Sequence, residues 1–179
     1  MQINEGWLSS AKVVTSPNND LRPDELDINL LIIHNISLPP GQFGGDYITK
    51  FFTNSLDANA HPYFYKIRNL KVSAHLLIER NGDITQFVQF NKRAWHAGVS
   101  AFEGRDSCND YSIGIEMEGT DHEPYTHQQY SCLGQVSRCL MSYYPYISVE
   151  RIIGHSAVAP DRKTDPGLAF DWNYFRSLL

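Results

Sequence analysis

The segment INLLIIHN, Ile28 to Asn35, constrains the fold more than any other part of the sequence. It is a short run of aliphatic, partly β-branched residues between polar turns, which is typical of a strand that is buried on both faces. The segment RIIGH, Arg151 to His155, has the same character on a smaller scale. Strands of this kind need a layer of structure on each side, so the sequence predicts a central sheet packed by helices.

Two further patterns add a hairpin and a long helix. Asn81 and Gly82 stand between two apolar-rich runs and predict a tight β-hairpin, whose two turn positions would both need a positive φ. Thr126 and Gln129 form a capping box in front of apolar residues at helical spacing, and Pro145 ends that pattern. A helix is therefore predicted between the capping box and the proline.

The remaining segments complete a mixed architecture. A short helix is predicted at about residues 47–53, and FDWNYFRSLL is predicted to close the chain as an amphipathic helix. Strands and helices do not follow a regular βαβ repeat. The predicted fold class is therefore mixed α/β (α+β), with a central mixed β-sheet flanked by helices in a single domain over residues 1–179.

The segment YSIGIEMEG alternates cleanly between two faces of a predicted strand. Ile113, Ile115 and Met117 point one way, which is typical of residues that face a core. Glu116 and Glu118 point the other way. We expect Glu118 to be a solvated residue of that face, whereas Glu116 is considered below for a chemical role.

Composition and charge exclude some classes of partner. The net charge is −5 and the basic residues are scattered, which argues against a nucleic-acid-binding protein. No apolar run approaches the roughly 20 residues that span a bilayer, and MQINEGWLSSAKVV lacks the basic and apolar regions of a secretory signal. The three cysteines have no CxxC spacing and are expected to be free thiols. We therefore expect a cytoplasmic protein without a membrane, nucleic-acid or obligate protein partner.

Two of the seven histidines differ from the others. His34 and His155 each follow a short apolar strand and begin a loop, where binding and catalytic side chains tend to be placed. Asp165 lies ten residues after His155 on the same polar loop, GHSAVAPDRKTDPG. Two imidazoles and one carboxylate can hold a catalytic zinc ion that keeps a fourth position open, so these three residues are candidate zinc ligands. The other reading, hydrogen-bonded structural histidines, stays open from the spacing alone.

Two charged residues could act beside such a metal. A carboxylate at Glu116 could take a proton from water and pass it to a leaving amine, although it could also simply solvate a sheet face. Lys163 could place a cation beside a developing oxyanion, or be an ordinary loop charge. His61, His122 and His127 lie in polar surroundings without a partner pattern and are expected at the surface.

Six ordered blocks of the sequence resemble one enzyme family. The blocks are IHNISLPPGQFGG, NAHPYF, VSAHLLIERNGDI, KRAWHAGVS, CNDYSIGIEMEGTD and APDRKTDPG followed by FDW. Together they are similar to the zinc-dependent N-acetylmuramoyl-L-alanine amidases, which include phage amidases and peptidoglycan-recognition proteins. Within that family they are most similar to the cytosolic members that act on 1,6-anhydro-N-acetylmuramyl peptides.

The resemblance implies a fold, a reaction and residue roles. The fold would be that of the peptidoglycan-recognition proteins, and the reaction would be hydrolysis of the lactyl–L-alanine amide bond during peptidoglycan recycling. His34, His155 and Asp165 match the family's zinc ligands, which implies one zinc ion per chain. Glu116 matches the catalytic glutamate, and Lys163 matches the lysine that stabilises the oxyanion.

Contacts with the anhydromuropeptide substrate are implied by position in the same blocks. His75 is a further possibility, with a structural role equally open to it. Two family arginines that grip the stem-peptide carboxylates are replaced, by Lys71 and Ser107, which puts the preferred stem in doubt, and Arg105 could compensate. The candidate substrate-binding residues are Asn35, Tyr47, Lys71, Trp95, His96, Arg105, Asn109 and Arg162.

Two other functions compete with this prediction. One is an amidase or endolysin that acts on intact peptidoglycan, which the expected absence of an export signal and of a wall-binding module disfavours. The other is a muropeptide-binding sensor without catalysis. The presence of all three metal-ligand positions together with Glu116 and Lys163 disfavours a sensor.

Overall fold

The computed structural model describes residues 1–179, which form twelve strands and five α-helices. The strands are β1 (Ile3–Asn4), β2 (Trp7–Leu8), β3 (Lys12–Val13), β4 (Asn19–Leu21), β5 (Leu30–Ile36), β6 (Leu76–Ile78), β7 (Ile84–Gln86), β8 (Lys92–Ala94), β9 (Ala101–Phe102), β10 (Arg105–Asp106), β11 (Ser112–Glu118) and β12 (Ile152–Gly154). The helices are α1 (Tyr47–Phe52), α2 (Pro62–Ile67), α3 (His127–Tyr143), α4 (His155–Val158) and α5 (Trp172–Ser177).

Six of the strands form one sheet, in the order β12-β5-β11-β6-β7-β3. The pairs β12–β5, β5–β11, β11–β6 and β3–β7 are parallel, whereas β6–β7 is antiparallel. The prediction of a central mixed sheet is therefore confirmed. The organisation as a single domain stays a prediction.

The sheet is covered on both faces, as the apolar runs of β5 and β12 require. On one face, the largest core cluster joins Leu31 and Ile33 to apolar residues of α3 and α5, such as Leu133 and Phe175. On the other face, α1 and α2 form a second cluster around Leu77. A third, smaller cluster fills the space over Leu30 and Ile32 of β5. The leucines and isoleucines of β5 thus alternate between two different cores.

The long helix α3 begins and ends where its sequence signals predict. The side chain of Thr126 accepts a hydrogen bond from the backbone N–H of Gln129, and the side chain of Gln129 accepts one from Thr126 in return. The helix ends at Tyr143, two residues before Pro145. The shorter helix α2 holds a surprise, because the imidazole of His61 accepts a hydrogen bond from the N–H of Tyr63. His61 therefore caps a helix and is half-buried, a contact that its local sequence pattern did not indicate.

The predicted hairpin exists, but its turn differs from the prediction. β6 and β7 pair antiparallel on either side of residues 79–83. Glu79 and Asp83 close this loop through their backbones, and only Gly82 has a positive φ, at 88°. The tight two-residue turn was therefore wrong, because the strands end earlier than the apolar runs suggested and leave a longer loop between them.

Glu118 also departs from expectation. Its side chain is only 2% exposed. One carboxylate oxygen accepts from the N–H of Gly44 at 2.5 Å, and the other accepts from the N–H of Arg80 at 3.1 Å. The prediction of a solvated glutamate was wrong, because two loops fold over this end of β11 and supply donors that replace water. No helix of the structure combines the length and the apolar character needed to cross a bilayer.

Candidate active site

Three parallel strands bring residues near their carboxyl ends to one edge of the sheet. His34 lies inside β5 and His155 is the first residue of α4, so the prediction that each begins a loop was wrong. In the pairing of β5 with β11, His34 lies directly beside Glu116. In the pairing of β12 with β5, Gly154 lies beside Ile33, so His155 follows in line with His34. Residues in register on neighbouring parallel strands point to the same face, which explains how side chains far apart in sequence meet here.

The three candidate metal ligands lie together. The Nδ1 atom of His34 lies 2.9 Å from Nδ1 of His155 and 3.1 Å from Oδ2 of Asp165. Nδ1 of His155 lies 3.0 Å from the same oxygen. A tetrahedral zinc ion with bonds of about 2.0–2.1 Å separates its ligand atoms by roughly 3.3 Å, so these separations are close to those of a zinc site. The three side chains form a compact donor cluster, which we call the ligand cluster.

The position of the proton on His155 suits a cation bound by the ligand cluster. Nε2 of His155 lies 3.0 Å from the carbonyl oxygen of Ala97, to which it donates. A neutral imidazole carries one proton, so Nδ1 of His155 then presents a lone pair to the carboxylate oxygen of Asp165. Two lone pairs at 3.0 Å repel each other unless a positive charge lies between them. The residues present therefore fit a divalent metal.

His34 is held in the state that a metal ligand needs. Burial lowers the pKa of His34 to about 4, and the nearby Asp165 only partly opposes this effect. The imidazole is therefore neutral at physiological pH and can offer a lone pair. Its second nitrogen, Nε2, lies 2.9 Å from Nδ1 of His96.

The loop that carries Asp165 is closed by backbone contacts. The N–H of Ser156 donates to the carbonyl oxygen of Asp165 at 3.0 Å, which brings the carboxylate back beside His155. Gly154 makes this return possible, because a Cβ atom there would lie 2.7 Å from Cδ of Pro166. The close approach of the two chain segments thus depends on a glycine at the end of β12.

Asp121 links two chain segments beside the ligand cluster through hydrogen bonds. One oxygen of its carboxylate accepts from Nδ2 of Asn35 at 2.8 Å, and the other accepts from the hydroxyl of Thr164 at 2.5 Å. Asn35 follows His34, and Thr164 lies between Lys163 and Asp165. Sequence reasoning missed Asp121, because nothing in its local pattern distinguishes it from a surface carboxylate.

The carboxyl group of Glu116 lines the same cavity as the ligand cluster, in an environment that is unusual for a glutamate. Its side chain is buried, and Oε2 accepts no hydrogen bond. Burial, together with the negative charge of Asp165, raises the pKa of Glu116 well above its ordinary value, while Lys163 acts in the opposite direction. A buried carboxyl group with a raised pKa and a free oxygen is suited to taking up and releasing a proton.

A cavity of about 650 Å³ opens over these groups. The polar part of its lining includes the ligand cluster, Glu116 and Lys163. A second part of the lining is apolar. This second part consists of Leu38, Phe51, Phe52, Tyr63, Ile67, Leu70, Val72 and Trp95.

The structure separates the predicted substrate-binding residues into two groups. Asn35, Trp95, His96 and Arg162 line the cavity. Tyr47, Lys71, Arg105 and Asn109 do not belong to its lining. His122, which was expected only to be at the surface, is exposed and also lines the cavity.

The residues outside the lining have other contacts. Nη2 of Arg105 pairs with the carboxylate of Asp27 at 2.6 Å, and its guanidinium lies over the ring of Tyr111. Ser107 is exposed, has a φ of 60° and precedes a short 3₁₀ turn. Arg105 and Ser107 thus lie apart from the cavity wall, and their contact with a stem peptide stays a prediction.

His75 has a structural environment. Its side chain is fully buried; Nδ1 accepts from the N–H of Gly114 at 3.0 Å, and Nε2 lies 3.1 Å from the carbonyl oxygen of Lys92. Burial, reinforced by the positive charge of Arg22, lowers the pKa of His75 to about 3. His75 is thus a neutral residue of the interior, and it does not line the cavity.

Both the sequence and the structure of the chain resemble those of known proteins. A relative from Citrobacter freundii, the 1,6-anhydro-N-acetylmuramyl-L-alanine amidase AmpD, is 55% identical over 179 residues, which cover 100% of this chain and 95% of the relative. The protein of the same name from Escherichia coli is also 55% identical, with coverage of 100% and 97%. The structure matches a crystal structure of a selenomethionine derivative of AmpD with a TM-score of 0.97 at 55% identity, over 100% of this chain and 99% of that one.

The family match covers the whole candidate site. The family model described as N-acetylmuramoyl-L-alanine amidase matches residues 24–168, a range that begins before His34 and ends after Asp165. The chain belongs to the N-acetylmuramoyl-L-alanine amidase family.

Proposed function

We propose that this protein hydrolyses the amide bond between the lactyl group of N-acetylmuramic acid and L-alanine in 1,6-anhydromuropeptides, as part of cell-wall recycling. One observation carries the proposal. The ligand cluster and the buried carboxyl group of Glu116 line the same cavity, in a chain that is 55% identical, over its full length, to a 1,6-anhydro-N-acetylmuramyl-L-alanine amidase.

The metal of the site is proposed to be zinc, one ion per chain. Nδ1 of His34, Nδ1 of His155 and a carboxylate oxygen of Asp165 would hold it, a donor set that suits zinc and leaves a position open. When bound, zinc supplies Lewis acidity, which polarises a carbonyl group and makes water more acidic. The short contact between Nδ1 of His155 and Oδ2 of Asp165 supports the proposal, because with the proton of His155 on Nε2 both atoms present lone pairs that a bound cation would stabilise.

Glu116 is proposed as the general base and general acid. Its carboxylate takes a proton from the attacking water and later delivers that proton to the alanine nitrogen as the amide bond breaks. Two features support this role: Oε2 has no competing hydrogen bond, and the raised pKa makes the group a stronger base than an exposed glutamate.

Lys163 is proposed to stabilise the oxyanion. The ammonium group would lie beside the carbonyl oxygen that becomes negative in the tetrahedral intermediate, in a cavity where water is partly excluded. The contact between Asp121 and Thr164, the next residue, supports the role because it restrains the backbone on which Lys163 is carried.

The shape of the cavity supports a muropeptide substrate. A volume of about 650 Å³ is ample for a sugar and part of a peptide. Of the residues predicted to contact the substrate, we propose the four that line the cavity: Asn35, Trp95, His96 and Arg162.

We propose the cytoplasm as the compartment of this reaction. Cys108, Cys132 and Cys139 are all free thiols, which are typical of a reducing environment. The anhydro form of the sugar in the relatives' names also fits a recycling substrate rather than an intact wall.

The decisive experiment follows product formation by mass spectrometry. The zinc-loaded protein is incubated with an anhydromuropeptide and, separately, with intact sacculi. We expect release of the stem peptide from the anhydromuropeptide at a rate at least tenfold higher. Release from sacculi alone would overturn the recycling role and favour an amidase of intact peptidoglycan. Binding of the anhydromuropeptide without any cleavage would favour a sensor.

A further inference from the structure

The imidazole of His96 occupies a space that a glycine keeps open. A Cβ atom on Gly114 would lie 2.4 Å from Cγ and from Nδ1 of His96, a distance that no real contact shows. Gly114 lies in the middle of β11 and has no positive φ, so its backbone does not call for glycine. A glycine inside a strand destabilises the strand, and here the close approach of the His96 ring explains why a glycine is nevertheless present.

The segment that carries His96 is held by a single side chain. Oδ1 of Asn109 accepts from the N–H of His96 at 3.2 Å and from the N–H of Ala97 at 2.8 Å. Asn109 therefore clamps two consecutive backbone groups. It does so outside the cavity lining, although the sequence had suggested a substrate contact for it.

This clamped segment contacts both histidines of the ligand cluster. The side chain of His96 meets Nε2 of His34, as described above, at 2.9 Å. The carbonyl oxygen of Ala97 accepts from Nε2 of His155 at 3.0 Å. Two neighbouring residues thus reach the far nitrogens of the two proposed histidine ligands.

The direction of these hydrogen bonds follows from the metal. A ligand nitrogen must present a lone pair, so the single proton of His34 belongs on Nε2. Nε2–H then donates to Nδ1 of His96, which must be unprotonated. The proton of His96 is left on its own Nε2, which lies 3.3 Å from the hydroxyl oxygen of buried Ser112. Each tautomer determines the next one outward from the metal.

We propose that His96 is a positioning residue for the metal site. It accepts a hydrogen bond from Nε2–H of His34 and so holds that ring in the tautomer and orientation that present Nδ1 to the metal. Asn109 and Gly114 serve the same purpose, one by clamping the backbone and the other by admitting the ring. This inference rests on the proposed zinc site.

The first test measures zinc affinity by competition with a chelator. In His96→Leu, which removes the acceptor, we expect zinc to bind about 10–100-fold more weakly, the usual effect of losing a partner of a ligand histidine. His96→Asn can place an oxygen near the position of Nδ1 and is expected to recover most of the affinity. The kcat of the zinc-saturated His96→Leu protein is also expected to fall, because the ring of His34 is no longer held in its orientation toward the metal.

The matched control is His75→Asn. His75 is another buried imidazole, whose ring centroid lies 5.7 Å from that of His96, and it makes no hydrogen bond to His34. A merely structural role for this cluster of rings predicts equal losses of zinc affinity in both variants. Unchanged zinc affinity in His96→Leu, or equal losses in the two variants, would overturn the inference.

A measurement on the unmodified protein remains decisive even where a variant does not fold. Long-range ¹H–¹⁵N spectra of the zinc-loaded protein report which nitrogen of each imidazole carries its proton. We expect protons on Nε2 of His34 and on Nε2 of His96. A proton on Nδ1 of His96 would refute the positioning role, whereas a protein that binds no zinc at all would refute the proposed function itself.

Discussion

The two faces of β11 are both buried, but one is stabilised by apolar packing and the other carries polar groups that need hydrogen-bond partners. All seven residues from Ser112 to Glu118 are buried. Ile113, Ile115 and Met117 join the largest core cluster and are held by apolar packing alone. On the other face, Glu116 has a free oxygen whereas Glu118 is saturated by backbone donors. Burial therefore does not by itself indicate function; what distinguishes Glu116, the proposed general base, from Glu118 is an oxygen without a hydrogen bond.

Glu116→Gln separates chemistry from stability on the polar face. We expect kcat to fall by about 10²–10⁴-fold, because the general base is lost. Zinc content should be unchanged, and the Tm should be equal or higher, because a buried carboxyl group with an unpartnered oxygen has been neutralised. Amidase assays, metal analysis and thermal unfolding measure the three quantities. Near-normal turnover would refute the assigned role.

Ile115→Ala tests the apolar face. The side chain is fully buried, so we expect the free energy of unfolding to fall by about 2–5 kcal/mol. The folded fraction should keep its kcat, because Ile115 points away from the cavity. Urea unfolding at a fixed zinc concentration measures the loss. A large drop in kcat with little loss of stability would show that the two faces are not separable.

Gly114→Ala tests whether the ring of His96 can move to make room for a methyl group. The added methyl group meets the imidazole at 2.4 Å, so we expect a loss of about 1–3 kcal/mol in stability from overpacking. Displacement of His96 should also weaken zinc binding. Gly134→Ala is the control: its added Cβ would meet Leu178 at 3.0 Å in another part of the molecule, so zinc binding should be unchanged. Equal zinc affinity in Gly114→Ala and the parent protein would contradict the close contact.

The pH dependence of stability tests the neutral state of His75. Its pKa is about 3 in the folded protein and near 6.5 in the unfolded chain, so protons bind preferentially to the unfolded state as pH falls below 6.5. Stability is therefore lost on acidification, by about 2 kcal/mol between pH 7 and pH 5 from this residue. Urea unfolding at several pH values should show a shallower slope in His75→Asn. Parallel slopes would count against a neutral His75.

Much of the site was accessible from local sequence patterns. His34 and His155 end short apolar runs, and this position at the end of parallel strands is what brought them together with Asp165. The capping box of α3 was equally readable, because it depends on four consecutive residues. Such features are local, or follow from one rule about strand ends.

Other features could not be read from local pattern. The role of Asp121 depends on a meeting of Asn35 and Thr164, which are more than a hundred residues apart. The hairpin turn and the burial of Glu118 were misjudged for a related reason: strand ends and loop cover are decided by neighbouring segments. Arg105 looked available for a substrate, yet it pairs with Asp27.

The sequence by itself determined the mixed sheet and the alternation along β11, because periodicity is a property of the chain. It indicated the ligand cluster only through strand-end positions taken together with a family resemblance, since the spacing alone left a structural role for the histidines open. Only the tertiary structure decided which polar residues support that cluster. His96, Asn109 and Asp121 act through contacts between distant segments, and no local pattern encodes the partner of a hydrogen bond. Gly114 is the clearest example: a glycine is needed at this position because the ring of His96 occupies the space that a side chain would take, and the sequence around Gly114 does not show this.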